Sequence, residues 1–157
     1  MSPYILNGPR LTLSALERIL KLIPATRWDE TLHEGRFTPR EVIAHLADWE
    51  PIWLERLKGA VSVPNYVIEP KDEGEMAIAN RYHEADVPGA LTRFRSGREA
   101  TLEFVGSLTD EQLQLPITHP HHGAWRVADI FMFLLVHDGY HIDQLSEYLE
   151  ESAVGTW

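Results

Sequence analysis

The chain contains no cysteine. Disulfides, thiolate metal ligands and a cysteine nucleophile are therefore excluded, and any thiol chemistry must use a thiol from outside the chain. An excess of positive charge is also missing: 14 Lys and Arg stand against 24 Asp and Glu, a formal net charge of −10. That balance argues against nucleic acid or an anionic membrane as the main partner, because both select basic patches. No apolar run approaches the roughly 18 residues that cross a bilayer, the longest being Ile130 to Val136. No basic segment leading into an apolar one opens the chain between Met1 and Pro9, so the reading is a cytoplasmic protein without a signal peptide. Alternation at period two is missing as well, which removes an extended sheet from the expectations.

What is present is helical periodicity, punctuated by proline and glycine. The expectation is one domain over 1–157, all-α, built as an antiparallel four-helix bundle with a long crossover between the second and third helices. The first helix is expected over Leu11 to Leu22, with Leu13, Leu16 and Leu20 on one face and Ser14 with Glu17 as a capping box. The second has the clearest start in the chain. Thr38 caps, Pro39 occupies the first turn, and Glu41 reaches back to close the box. Val42, Leu46, Trp49 and Trp53 then form its stripe, and Pro51 is expected to kink it. Residues 60–86 form the crossover, with a short helix expected over Glu75 to Glu84. The third helix starts near Pro88 after Asp86, and Arg98 falls four residues after Phe94, where it reads as a snorkelling arginine in preference to an anion clamp pointing into the bundle. An irregular loop from Leu115 to Gly123 carries His119, His121 and His122, read as solvated or as the rim of a pocket, with direct metal ligation the less favoured alternative. The fourth helix covers Trp125 to Glu150, and Gly139 inside it implies that a backbone or ligand comes close.

Three histidines lie on inward faces, where an unpaired imidazole is costly. His45 follows Val42 by three residues, and His137 and His141 are four apart on the last helix, about 6 Å along the axis. All three fall at middle depth in a bundle. Three neutral imidazoles around one ion would leave a coordination position open, as in a catalytic site. Such a centre can activate water or an incoming thiol. Asp48 and Asp138 are the candidates for proton transfer or for orienting ligands, each equally readable as a helix-surface carboxylate. One divalent transition metal per chain suits this donor set, whether zinc, nickel, iron or manganese.

The runs Glu41-Val42-Ile43-Ala44-His45-Leu46-Ala47-Asp48-Trp49-Glu50 and His137-Asp138-Gly139-Tyr140-His141-Ile142-Asp143-Gln144-Leu145, preceded by Trp125-Arg126-Val127-Ala128-Asp129-Ile130, resemble the DinB/YfiT-like superfamily. The resemblance spans essentially the whole chain. It implies a four-helix bundle, often a homodimer, with a divalent metal held by His45, His137 and His141. It also implies a small-molecule substrate and either metal-dependent hydrolysis or transfer of a low-molecular-weight thiol. A non-catalytic metal-binding bundle and a metal-free dimeric module are the alternatives.

Overall fold

The structure is a computed structural model that describes residues 2–153; Met1 and residues 154–157, the ends of the expected 1–157 domain, lie outside the described residues. Four long helices form a bundle: α1 (Pro3–Leu22), α2 (Pro39–Ser62), α4 (Val87–Ser107) and α6 (Val127–Ala153). Two short helices lie between them, α3 (Glu73–Ala79) and α5 (Asp110–Leu113). One hairpin pairs β1 (Pro116–His119) with β2 (Gly123–Arg126), its register running from Pro116 opposite Arg126 to His119 opposite Gly123.

The helices close into a ring in which α1 and α2 each pack on both α4 and α6. Their directions follow from the contacts. Arg10 meets Glu99 while Glu17 meets Arg95, so α1 and α4 are antiparallel, as are α2 and α6 through His45 with His141 and Trp53 with Phe133. Across the other two faces the helices are parallel: Asp48 meets Arg93 and Glu50 meets Arg98 between α2 and α4, while Gly8 faces Leu135 and Thr12 meets Asp138 between α1 and α6. Parallel neighbours cannot be joined by a tight turn, because the chain must return along the whole helix. This is the physical reason for the crossover of residues 63–86. The crossover is pinned to the hairpin where Ile68 N–H donates to the Thr118 carbonyl and Thr118 N–H donates to that of Tyr66.

The Thr38–Glu41 box forms as the sequence implies, with Thr38 N–H donating to the Glu41 carboxylate at 2.9 Å and Glu41 N–H to the Thr38 hydroxyl at 3.3 Å. Asp86 caps α4 through Gly89 N–H. Other expectations change. Helix α1 starts at Pro3, capped by Ser2, and continues through Pro9, so Ser14 and Glu17 sit inside it; Ser14 accepts from Arg18 and Glu17 pairs with Arg95. Helix α2 runs unbroken past Pro51, whose ring occupies the exposed face. The loop carrying three histidines is a hairpin whose strands, four residues each, are too short to show alternation. No atom lies within 4 Å of where a Cβ would sit on Gly139, which is on the exposed face of α6, so the close approach expected there is not present within the chain. The close approach occurs instead at Gly97, where a Cβ would collide with the Glu50 side chain as α4 crosses α2.

The core has two apolar clusters. One gathers Leu16, Leu20, Ile43, Leu46, Phe94 and Tyr148; the other gathers Trp53, Leu57, Leu102, Val105, Phe131 and Leu134. Along α4 and α6 the stripe passes from one cluster to the other through polar residues, Arg98 on the first helix, Asp138 and His141 on the second. A polar layer therefore crosses the middle of the bundle, and the candidate site lies in it.

Candidate metal centre

His45, on α2, is fully buried, and α6 brings His137 and His141 against it. One nitrogen from each ring lies within 4.8 Å of the other two, and among the described residues this is the one group of three or more such side chains close enough to share an ion. His45 Nε2 and His137 Nε2 are 2.9 Å apart. His141 is positioned from behind: its Nδ1 lies 3.0 Å from Gln144 Oε1, one turn on, and the Gln144 amide donates to the Phe37 carbonyl at 2.8 Å. Because an amide oxygen only accepts, Nδ1 must carry the proton, which leaves the lone pair on Nε2. That Nε2 is buried without a hydrogen-bond partner, as are Nδ1 of His45 and of His137.

The electrostatics keep these rings neutral. Burial first, then the His137 and His141 imidazoles, pushes the pKa of His45 down to about 2. Burial, then His141, Arg98 and Arg56, lowers His137 to about 3. Burial lowers His141 to about 4, against the opposing pull of Gln144 and Asp138. At neutral pH no imidazolium need lose a proton before a cation binds. Three neutral nitrogens, close together and one of them orphaned, fit a divalent transition metal, and no carboxylate shares the cluster.

Asp138 and Asp48 are placed differently. Asp138 is fully buried, one residue after His137, but its carboxylate is occupied: Arg98 Nη1 and Nη2 donate to it at 2.6 and 2.9 Å, and the Thr12 hydroxyl donates as well. Arg98 is not a snorkelling residue. It is fully buried and spends its remaining donors on Glu50 Oε1 and the Pro9 carbonyl. Asp48 turns away from the histidines, accepting from Asn80 at 2.8 Å and facing Arg93 at 3.6 Å. The hairpin histidines form no part of the cluster. They connect to it through tilted and edge-on ring contacts, from His119 to Trp125 at 4.6 Å, Trp125 to Phe133 at 5.3 Å, Phe133 to Trp53 at 6.0 Å and Trp53 to His137 at 5.7 Å. They line an aromatic wall.

Gln144 had no role in the sequence reading and carries only a weak signal, one helical turn after a histidine. The pairing of Arg98 with Glu50 carries none, because the partners lie 48 positions apart and meet only when α2 packs on α4.

A four-helix bundle with a polar layer that collects three histidines defines a class of candidate metal-binding bundle proteins. The chain belongs to the DinB superfamily, whose family model matches residues 10–145. Among curated proteins it is 25% identical over 118 residues to one from Oceanobacillus iheyensis named "putative metal-dependent hydrolase", covering 75% of this chain and 68% of the relative. The fold is shared with YfiT from Bacillus subtilis, described as a probable metal-dependent hydrolase with an unusual four-helix bundle topology (TM-score 0.87, 20% identity, 98% of this chain and 90% of that one). It is also shared with a mycothiol-dependent maleylpyruvate isomerase (TM-score 0.72, 15% identity), of which 59% is covered by 90% of this chain. No helix among the described residues is long and apolar enough to cross a membrane.

Proposed function

We propose that this protein is a metal-dependent enzyme acting on a small molecule, with His45, His137 and His141 holding one divalent transition metal. The observation that carries the reading is the buried, partnerless Nε2 of His141, its ring set by Gln144, within reach of two other neutral imidazoles. A metal held by three neutral ligands supplies Lewis acidity, which can lower the pKa of water or of a low-molecular-weight thiol, or polarise an electrophile. Hydrolysis and thiol transfer are the two reactions this supports. The names of the relatives favour the first, and the absence of cysteine is compatible with a thiol brought from outside.

The surrounding residues divide the work. Gln144 holds His141 in the tautomer that presents Nε2. Asp138 is a positioning residue: with both oxygens engaged by Arg98 and Thr12, it fixes the turn of α6 that carries His137. Asp48 takes no part in the chemistry. Trp49, Trp53 and Phe133 exclude water from one side of the cluster. A homodimer is part of the same proposal. Met132, Val136 and Tyr140 form an exposed apolar stripe on α6, and Gly139 beside it leaves open space for a neighbouring helix.

The test is metal analysis of protein purified without an affinity tag, followed by a screen of esters, amides and thiol–electrophile pairs. The expected result is about one equivalent of metal per chain, lost together with any turnover in His45→Ala and His137→Ala. Retention of a full equivalent in both variants would show that the ligands are elsewhere.

A further inference from the structure

One cavity reaches the histidine cluster. Its walls include Gly35, Arg36, Phe37, Tyr140, His141 and Gln144, and its volume is about 250 Å³. The bond from Gln144 to the Phe37 carbonyl ties this loop to His141, so Arg36, the preceding residue, has a set position relative to the ring. The Arg36 guanidinium lies over the Tyr140 ring, 5.1 Å from its centroid. Its Nε is buried without a hydrogen-bond partner, and no carboxylate among the described residues reaches ion-pair distance. Arg10, Arg27, Arg40, Arg81, Arg93, Arg95, Arg98 and Arg126 pair with a carboxylate. Arg18 and Arg56 do not, but Arg18 donates to the Ser14 hydroxyl and Arg56 to the Glu69 carbonyl, so Arg36 differs from both in the buried, partnerless Nε.

A buried guanidinium donor without an acceptor is costly, and a planar carboxylate is the group that satisfies its fork. We propose that Arg36 anchors a carboxylate of the substrate, so that the centre acts on small carboxylic acids bound between Arg36 and His141. The inference rests on the reading of the three histidines as metal ligands. Glu73 borders the same cavity and opposes a second negative charge, which favours a carboxylate over a dianionic phosphate or phosphonate.

The probes are mercaptoacetate, its neutral analogue mercaptoacetamide, and mercaptomethylphosphonate, titrated into the cobalt(II)-loaded full-length protein. Binding is followed by the sulfur-to-cobalt charge-transfer absorption. Since the thiols differ in acidity, the readout is how each affinity changes between wild type and variant. Arg36→Gln is expected to weaken mercaptoacetate by about 10- to 100-fold, the range for a hydrogen bond between charged groups, and to leave mercaptoacetamide within about twofold. Arg36→Lys is expected to fall between, since it keeps the charge and loses the fork. Equal weakening of acetate and amide, or no weakening of either, overturns the anchor. Phosphonate binding more tightly than mercaptoacetate in wild type, and losing more in Arg36→Gln, overturns the carboxylate assignment. Cobalt that fails to bind overturns the histidine reading, and this assignment with it; cobalt that binds but gives no band with any of the three probes overturns this assignment alone.

Discussion

His141 can serve a metal only while its Nδ1 keeps a proton and its ring holds one orientation, and both conditions depend on Gln144. Gln144→Leu is expected to weaken metal binding by about 10- to 100-fold while the stoichiometry stays at one, measured by competition with a chromophoric chelator. Unchanged affinity would remove Gln144 from the centre. Glu50 presents a different residue-scale problem. One buried guanidinium faces two carboxylates, and the Glu50 Oε2 has no partner. Burial, opposed by Arg98 and helped by Asp138, raises the Glu50 pKa from the usual 4.5 to about 7. With the native pKa above the unfolded one, the stabilising proton is fully present below pH 4.5. It is lost as pH rises through 7, because the unfolded chain ionises first. The loss runs at about 1.4 kcal/mol per pH unit, about 3 kcal/mol across the window. Glu50→Gln keeps an acceptor for Arg98 and cannot ionise, so its stability relative to wild type should climb by about that amount between pH 5 and 8 in urea denaturation. A pH-independent difference would show that Glu50 is ionised throughout.

At the scale of the helix, two glycines act in opposite ways. Gly97 lets α4 lie against α2 at Glu50, and Gly97→Ala is expected to destabilise the fold by about 1–3 kcal/mol through overcrowding of a packed contact. Gly139 has open space around it, so Gly139→Ala should stabilise the dilute protein by up to about 1 kcal/mol through helix propensity alone. Thermal melts of the two variants should therefore move in opposite directions. The positions are indistinguishable in sequence, each a glycine inside a helical pattern. What separates them is which helix lies over which face. The same reason underlies the hidden extent of α1. The sequence places its start at Leu11, yet the helix begins at Pro3 and continues through Pro9, whose carbonyl accepts from Arg98.

For the whole molecule, the arrangement of α1 and α6 as one parallel pair, and of α2 and α4 as the other, puts α2 and α6 antiparallel. His45, early in α2, therefore faces His141 and His137 midway along α6. The exposed stripe Met132–Val136–Tyr140 predicts association: sedimentation at micromolar concentration should give a dimer, and Val136→Glu should give a monomer. A monomeric wild type removes the dimer and leaves the metal centre untouched.

By itself the sequence determined the four helices, the box at Thr38, the crossover and the inward placement of His45, His137 and His141. Each of these follows from local spacing, in which a polar residue inside an apolar stripe marks itself. Tertiary structure alone decided the contacts of Asp138 and Asp48, the burial of Arg98, the support from Gln144 and the isolation of Arg36. Those depend on which distant side chain arrives opposite, and spacing along one helix carries no information about the helix across from it. The three imidazoles were legible because burial alone singles them out; the carboxylates were not, because partners determine a carboxylate's role.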